Sequence, residues 1–582
     1  MKLSVLALDY DGTIARNDRL DPAVREAIAY ARRRKVIVLL VTGRILDELR
    51  RVAGRLDFVD GIVAENGAVL HIPASNHTTG LAPPLPRTFL TRLEERGVPF
   101  AAGQCLVDAD AGSAHAMLDV IRESALPMVL LFNRSRVMAL PQGVSKATGL
   151  AAAHDVVRAS ARNTLAIGDA ENDYELLRLA EVGVAVEWGS RSLQGAADLV
   201  IHGTDPSAVG SFVKQAATKG HLPLPERARR RLVGGRTDDG REFSLGVRGR
   251  NVLITGETNS GKSWIAGLLC ERLILHGYSL CVIDPEGDYT TLGALPGTTI
   301  LGGDDPPPPL RVLLHELRHP ERRVVIDLSR LDHHVKLDYV RSILPALNVL
   351  RRRTGTPHRI IIDEGHYFLH DAMERGLLDL EFNGYTVVTY WPSQLPPLFL
   401  ERTEVVLVTR ESSAVELEAL RKHCLRCQQL SPEAWNTLPH LRLDQAVALP
   451  MTMEADGRLR AFTIGERLTP HVRHREKYVD VPVADDKAFV FGSGEAAIRA
   501  HTLREFVDAF ERLDPEEAAA YLRRGDASRW VDDVFGDHTL ARELRSHERQ
   551  HARGEGPRAL RKVADVIRTR YDVADASDVA PA

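Results

Sequence analysis

Cysteine is scarce, with five in 582 residues. That excludes a disulfide scaffold in so long a chain and leads us to expect a reducing interior. Long hydrophobic runs are missing as well. The longest, Val36–Val41, falls far below the roughly 20 residues of a membrane-spanning helix and suits a buried strand. A charge of one sign is also absent: 75 basic residues stand against 79 acidic ones, a formal −4. Nothing in that balance attracts nucleic acid globally, so any basic binding surface must be local. The opening Met1–Leu8 imitates a signal peptide, but Asp9 and Asp11 end its apolar run too early. A cytoplasmic protein with no membrane partner is therefore expected. With 44% hydrophobic and 26% charged residues the chain is not mostly disordered. Its length gives a prior of about four domains.

What is present is acid at the ends of apolar strands. Residues 3–8 read as a short buried strand running into Asp9-Tyr10-Asp11-Gly12-Thr13. Two carboxylates two positions apart at a strand end project to the same side, and Gly12 lets the chain turn away. Alone, this would be an acidic turn. A second strand, Val36–Val41, ends in Thr42-Gly43-Arg44, which offers a hydroxyl and backbone amides at the same edge of a parallel sheet. Thr164–Ile167 leads into Gly168-Asp169-Ala170-Glu171-Asn172-Asp173, and Gly143-Val144-Ser145-Lys146 supplies one cation just before a helix. Ligands of open α/β sheets gather at the carboxyl ends of strands, so these four segments can converge.

This set, with Asn66-Gly67-Ala68 after its second segment, resembles the haloacid dehalogenase (HAD) phosphatases, in particular the Cof-like, sugar-phosphatase branch. The resemblance covers about residues 1–215 and implies an α/β, Rossmann-like domain with an inserted cap at about 72–140. It implies Asp9 as the nucleophile that forms an aspartyl-phosphate, and Asp11 as the acid that protonates the leaving oxygen and later activates water. Thr42, Gly43, Arg44 and Asn66 would bind the phosphate ester, while Lys146 offsets charge. Mg²⁺ would sit on Asp9, the Asp11 carbonyl and Asp169, with Asp173 as a ligand or just behind them. No catalytic position is missing, so an active phosphatase is expected. The cap is short for this branch and opens on the Pro-, Ser-, Asn- and Thr-rich run Pro73–Pro86, which would admit larger substrates. His77, Cys105 and His115 lack partner spacing and read as structural or surface residues.

Residues 216–250 read as a linker and a β-hairpin. Lys214, Lys219, Pro223, Pro225 and Arg227-Ala228-Arg229-Arg230-Arg231 suit a solvated basic linker, with a nucleic-acid contact as the alternative. Asp238-Asp239-Gly240 between short apolar runs is a hairpin signal.

Asn251–Thr255 reads as a strand, followed by Gly256-Glu257-Thr258-Asn259-Ser260-Gly261-Lys262-Ser263 and an apolar helix to about His276. This is a P-loop in its strand–loop–helix setting. Its amides would wrap the phosphates of ATP; Lys262 would reach the β- and γ-phosphates and Ser263 would hold Mg²⁺. Arg359–Ile362 ends in Asp363-Glu364, a Walker B arrangement. Asp363 would orient Mg²⁺ through water and Glu364 would polarise the attacking water, which favours an ATP hydrolase over a kinase. Strand Tyr385–Tyr390 precedes Pro392-Ser393-Gln394, where Gln394 would sense the γ-phosphate. Together with Ile283–Tyr289, these pieces resemble the HerA-type branch of the HerA/FtsK motor ATPases over about residues 245–425, within a RecA-like domain at 251–468.

That resemblance implies a homo-oligomer, a hexameric ring favoured, with DNA as a candidate partner and sites between subunits. Asn259 and Trp264 depart from the usual loop and are expected to alter nucleotide fit, Trp391-Pro392 is an unusual approach to the sensor, and no amino-terminal barrel of the usual HerA kind precedes the motor. Arg410 is the candidate arginine offered to a neighbouring subunit, with Arg402 second; either also reads as an ordinary surface arginine. Cys424-Leu425-Arg426-Cys427 beside His423 lacks the second pair of ligands a zinc site needs.

After Leu468 the motif chemistry stops, and residues 469–582 read as a small, mostly helical domain. Thr502-Leu503-Arg504-Glu505 is a capping-box pattern, and Asp514-Pro515 opens another helix. Phe506, Phe510, Trp530 and Phe535 read as core, His471, His474 and residues 547–553 as solvated, and the end from Ala574 as a frayed tail. Two functions compete: a bifunctional phosphatase–ATPase on nucleic acid (DNA translocation, end processing, repair or phage defence), or a sugar- or small-metabolite phosphatase with an oligomerising, ATP-dependent regulator. A kinase–phosphatase pair is disfavoured by Glu364.

Overall fold

The structure, a computed structural model, describes residues 1–582 except 134, 221, 223–230, 248, 259, 371–375, 424–431, 452–458, 471–482, 484–486, 493, 495–496, 536–537, 553–561 and 569–582. Asn259, the basic run up to Arg230, the Cys424/Cys427 pair, His471, His474, Arg553 and the tail from Ala574 lie outside the described residues.

The amino-terminal third forms an eight-stranded sheet. From one edge the order is Leu199–Ile201, Val182–Val186, Thr164–Gly168, Val5–Asp9, Ile37–Val41, Gly61–Ala64, Val69–Ile72 and His77–Gly80. The first six run parallel, and the last two are added antiparallel. Alternation along Val5–Asp9 explains the two-sided core. Leu6 and Leu8 pack with Ile28 and Val213 on one face, and Val5 and Ala7 with Leu150 and Leu176 on the other. Helices Pro22–Arg33 and Ser207–Lys219 pack against each other on the first of these faces.

A separate four-stranded antiparallel sheet is inserted between Gly80 and Lys146, in the order Met128–Asn133, Arg136–Pro141, Val107–Asp110, Phe100–Ala102. Helices Arg87–Glu95 and Ala114–Glu123 cover one face through Phe89, Leu93, Met117 and Val120. The other face brings Met138 and Leu140 onto Ile45, beside the strand ends of the first sheet. Strands Val69–Ile72 and His77–Gly80 extend the first sheet, so the unit that stands apart from it begins at Arg87. Glu65 ties it down, its two carboxylate oxygens accepting from the Gln104 and Cys105 backbone at 3.0 and 2.8 Å.

The second large sheet has eleven strands in the order Glu242–Leu245, Leu232–Arg236, Arg460–Ile464, Gln445–Ala448, Thr403–Val408, Asn251–Thr255, Tyr385–Thr389, Arg359–Ile362, Leu280–Asp284, Arg323–Asp327, Thr298–Gly302. Seven parallel strands, from Thr403–Val408 to Thr298–Gly302, form its centre. The hairpin read around Asp238-Asp239-Gly240 forms, but it is not free-standing: Gly235 and Arg236 pair with Ile464 and Thr463. Arg467 and Thr469 then close onto Glu271 of the helix that follows the P-loop.

The last region has a short hairpin, Phe489–Phe491 with Ile498–Ala500, and a helical cluster. Thr502 caps its helix through the Glu505 amide at 3.0 Å. Glu505 reaches back to the His501 amide rather than to that of Thr502. Asp514 caps Pro515–Arg524 as expected. Phe506 stacks on Trp530 and Phe489 meets both edge-on in the core, so the aromatic stripe is packing, not a ligand platform.

The two large sheets meet through the amino ends of their strands. Tyr278, just before Leu280–Asp284, donates its hydroxyl to Glu181 at 3.2 Å, and Arg162 pairs with the same carboxylate at 3.2 Å. All three side chains are buried. Removing one member of a buried ion pair strands the other, at about 3–5 kcal/mol. Glu181→Ala is therefore expected to destabilise the protein by about 3 kcal/mol, measured by denaturant unfolding; a change within experimental error would refute the role of this contact.

Candidate active sites

The first site is built by strand ends. Val5–Asp9 delivers Asp9 to the carboxyl edge of its sheet, and Thr164–Gly168 delivers Asp169 beside it. Ser145 caps the next helix with Thr148 in a reciprocal capping box, which makes Lys146 its first residue. The helix can approach because residues 67 and 149 are glycines. A Cβ on Gly149 would lie 2.5 Å from the Gly67 Cα, and one on Gly67 1.9 Å from the Ser145 carbonyl oxygen.

Lys146 Nζ donates to Asp9 Oδ1 and to Asp173 Oδ1, each at 2.6 Å. Thr13 Oγ1 donates to Asp9 Oδ2 at 3.1 Å and lies 3.4 Å from Asp169 Oδ1. The other oxygen of Asp173 accepts from the Asp169 and Ala170 amides at 3.0 and 3.1 Å, so Asp173 braces the loop that carries Asp169. Gly168 is required here, since a Cβ would meet the Asp173 side chain at 2.6 Å. Burial, then the charges of Asp173 and Asp169, push the Asp9 carboxyl well above its ordinary range, with Lys146 opposing them. Burial presses the Lys146 ammonium down, but Asp173 and Asp9 outweigh it and hold it above its usual value. Asp9, Asp169 and Asp173 each present an oxygen, all within 4.8 Å of one another. An all-oxygen, anionic donor set of this kind fits a hard divalent cation such as Mg²⁺.

Thr42 is buried, and its Oγ1 accepts from the Arg44 amide at 3.1 Å. Asn66 sits in the left-handed region at φ 53°, its amide donating to the Thr42 carbonyl at 3.0 Å. Among the described residues its buried Oδ1 finds no hydrogen-bond partner, as suits a group that receives a ligand. Gly43 faces Met138 of the inserted unit. Arg44, read from the sequence as a phosphate ligand, instead grips Asp11 with two hydrogen bonds of 2.7 Å and also pairs with Asp18. Two carboxylates beside it outcompete a neutral environment, so in this arrangement its guanidinium positions Asp11. Asp9, Asp11, Gly43, Arg44, Lys146 and Asp169 line a cleft of about 510 Å³, closed on the far side by Asp108, Asn133, Arg136 and Met138. Thr13 and Trp188, whose indole donates to the Gly12 carbonyl at 2.6 Å, received no role from the sequence. Thr13 sits inside the acidic motif and carried a local signal; Trp188 carried none.

The second site lies at the carboxyl edge of the eleven-stranded sheet. The P-loop runs from Gly256 to the helix Lys262–Leu275, whose amino cap is Gly261 at φ 102°. Lys262 Nζ donates to the Glu257 carbonyl at 2.9 Å. Ser260 Oγ lies 2.5 Å from Thr409 Oγ1, while Thr258 is buried and Ser263 half-buried. Asp363 and Glu364 follow Arg359–Ile362, both buried, with Glu364 in the left-handed region at φ 46°. Tyr385–Thr389 separates their strand from that of the P-loop. Its terminal Thr389 Oγ1 lies 2.9 Å from His366 Nδ1, and His366 lies 3.7 Å from Glu364. These two polar groups were not singled out by the sequence reading.

Gln394 is exposed in the short turn Pro392–Gln394, past the strand end. Trp264 donates its indole N–H to the Gly465 carbonyl at 3.1 Å. Asp284 accepts the Gly287 and Tyr289 amides at 2.8 and 2.9 Å and shapes the turn after its strand. Burial, with Asp288 and Asp327 nearby, pushes its carboxyl up to about 7. Arg410 pairs with Glu257 of its own P-loop.

A family model described as haloacid dehalogenase-like hydrolase matches residues 6–101 and 99–213. A phosphoglycolate phosphatase of Methanoculleus marisnigri is 30% identical over 217 residues, covering 34% of this chain and 90% of that protein. One from Natronomonas pharaonis is 29% identical over 220 residues, covering 36% of this chain and 94% of that protein. A crystal structure of a haloacid dehalogenase-like hydrolase from Bacteroides thetaiotaomicron aligns at 16% identity with a TM-score of 0.33, covering 37% of this chain and 99% of that one. Through its amino-terminal region the chain belongs to the haloacid dehalogenase-like hydrolases. A second model, for the central domain of helicase HerA, matches residues 246–341. The chain thus joins a HAD phosphatase to a HerA-like P-loop ATPase domain, two enzymes in one polypeptide. Among the described residues, no helix is long and apolar enough to cross a membrane.

Proposed function

We propose that this protein is an Mg²⁺-dependent phosphomonoesterase fused to a HerA-type ATPase that assembles, as a hexameric ring, on DNA. The observation that carries the phosphatase half is the buried Asp9–Lys146–Asp173 arrangement with Asp169 alongside. Asp9 attacks phosphorus, the ester P–O bond breaks, and Asp11 gives its proton to the leaving oxygen. Asp11 carboxylate then takes a proton from water, which displaces phosphate and frees Asp9. For either step Asp11 turns from Arg44 toward the reacting oxygen. Lys146, Thr42 and Asn66 hold the phosphoryl oxygens as charge develops there. Asp9, Asp169 and Asp173 would hold Mg²⁺, which supplies charge neutralisation and orientation when bound. The inserted unit acts as a Cof-type cap, and its wall over the cleft carries Arg136, paired with Asp108, together with Asn133 and Met138.

In the second domain, Lys262 and Ser263 take the nucleotide phosphates and Mg²⁺, Asp363 orients the ion, and Glu364 polarises water. The joint presence of the P-loop and the Asp363–Glu364 pair on one sheet edge supports hydrolysis, with DNA moved or remodelled while the phosphatase trims ends or nucleotides. The relatives favour a second reading: both are named phosphoglycolate phosphatases, which suits a small-metabolite phosphatase regulated by the P-loop domain. Particle images with and without ATP, together with ATP turnover with and without DNA, separate the two. Closed rings and a several-fold stimulation by DNA are expected. Monomeric particles and a turnover indifferent to DNA would sink the motor reading and leave the second.

A further inference from the structure

We infer that Arg410 is a positioning residue for nucleotide in its own subunit: it neutralises the carboxylate that Glu257 places in the P-loop, so that the loop can receive a triphosphate. This rests on reading the P-loop as an ATP site. A P-loop binds by aiming backbone N–H groups at anionic phosphates, and an acid in the same turn opposes that ligand electrostatically.

The structure shows how this chain manages the acid. Arg410 Nε pairs with Glu257 Oε1, and Ser412 Oγ donates to Glu257 Oε2 at 2.8 Å. Both partners come from the segment that follows Thr403–Val408, the strand hydrogen-bonded directly to the P-loop strand. The two backbones are joined as well, the Glu257 amide donating to the Arg410 carbonyl at 2.8 Å. Gly256 permits this approach: at φ 146°, a Cβ there would lie 2.0 Å from Thr409 Oγ1. The P-loop lysine is part of the same unit, since Lys262 Nζ bonds the Glu257 carbonyl. Arg410 is thereby committed in cis. A role in cis thus stands against the sequence expectation that Arg410 reaches into a neighbouring subunit's site.

The test is binding of a fluorescent ATP analogue to the full chain, with melting curves to check folding. Arg410→Ala is expected to weaken binding roughly tenfold, the effect of about 1.4 kcal/mol, because Glu257 is left charged beside the phosphates. Arg410→Lys should recover part of the loss. Adding Glu257→Gln to Arg410→Ala should restore affinity toward that of the wild type, although the pair itself is gone. A purely structural pair gives the opposite result, a double variant at least as weak as the single one, and that would overturn the proposal. So would complementation, in which mixing Arg410→Ala with Lys262→Ala chains restores ATP turnover, since it requires Arg410 to act in trans. If the wild type itself fails to bind and Lys262→Ala changes nothing, the ATP-site reading fails. If the wild type binds, Lys262→Ala does not, and Arg410→Ala binds like the wild type, only the charge-neutralising role fails.

Discussion

Asp9→Asn is expected to abolish hydrolysis of phosphate esters, a loss on the order of 10⁴-fold or more, while the protein stays folded. The substitution is nearly isosteric. An Asn oxygen can still accept from Lys146, and the Thr13 hydroxyl can turn from donor to acceptor to meet the new amide. What is lost is the nucleophile, for which nothing nearby substitutes: Asp173 is held by Lys146 and by two backbone amides. Stability should not fall. Three buried carboxylates lie within 4.8 Å of one another here and Lys146 pairs with two of them, so removing one charge relieves repulsion. The variant should therefore melt no lower than the wild type in metal-free buffer, and added Mg²⁺ should stabilise it less. Colorimetric assay with a small aryl phosphate checks the first claim and calorimetry the second. Residual activity above about one per cent of the wild type would be incompatible with the nucleophile assignment.

The catalytic acids were legible because they sit where local pattern changes abruptly. Asp9, Asp169 and Asp363 each follow four or five buried residues of a parallel strand, and an acid at the end of such a run has few reasons to be there. Lys146 was legible as a cation just before a helix, whereas the Ser145–Thr148 capping box that makes it the first helical residue was not read from the sequence. Side-chain partners were another matter. Arg44 adjoins Thr42 and Gly43 in sequence, but its guanidinium reaches back to Asp11, thirty-three residues earlier. Arg410 was legible as an arginine at a strand end, yet its partner Glu257 lies 153 residues away. The hairpin near Asp239 was visible, whereas its pairing with Arg460–Ile464 was not. Strand neighbours distant in sequence are chosen by sheet closure, and no local period records that choice.

The contact between the sheets belongs to the same illegible class and bears on how the two enzymes coexist. Glu181 and Arg162 flank the amino ends of Val182–Val186 and Thr164–Gly168, and Tyr278 precedes the amino end of Leu280–Asp284. Ser4, just before Val5–Asp9, adds a hydroxyl 3.5 Å from the Thr354 carbonyl. Asp9 and Asp169 lie at the carboxyl ends of Val5–Asp9 and Thr164–Gly168, and the Asp284 turn lies at the carboxyl end of Leu280–Asp284. The contacts thus join the sheets at the edges opposite those that carry Asp9 and the P-loop. Direct transfer of a product between the sites is disfavoured by this arrangement, and influence of one on the other would have to travel through the strands.

Lys262→Ala is the second large effect, and separating it from the first site takes care. The side chain supplies the only described ammonium within the P-loop and bonds the Glu257 carbonyl 2.9 Å away. Without it the β- and γ-phosphates lose their nearest cation, and ATP turnover should fall by roughly 10²–10³-fold, the scale of removing one preorganised charge from a developing transition state. Hydrolysis of an aryl phosphate should be unaffected, because Lys262 and Asp9 belong to different sheets. The γ-phosphoryl group of ATP is held by a phosphoanhydride that an aspartate nucleophile can also attack, however, so the Asp9 site offers a second route to it. Phosphate release by Lys262→Ala is therefore to be compared with that of the Asp9→Asn/Lys262→Ala double variant. Turnover lost fully in the single variant assigns ATP to the P-loop. Turnover that persists there and disappears only in the double variant assigns it to Asp9, and the HerA-like domain would then bind nucleotide without hydrolysing it.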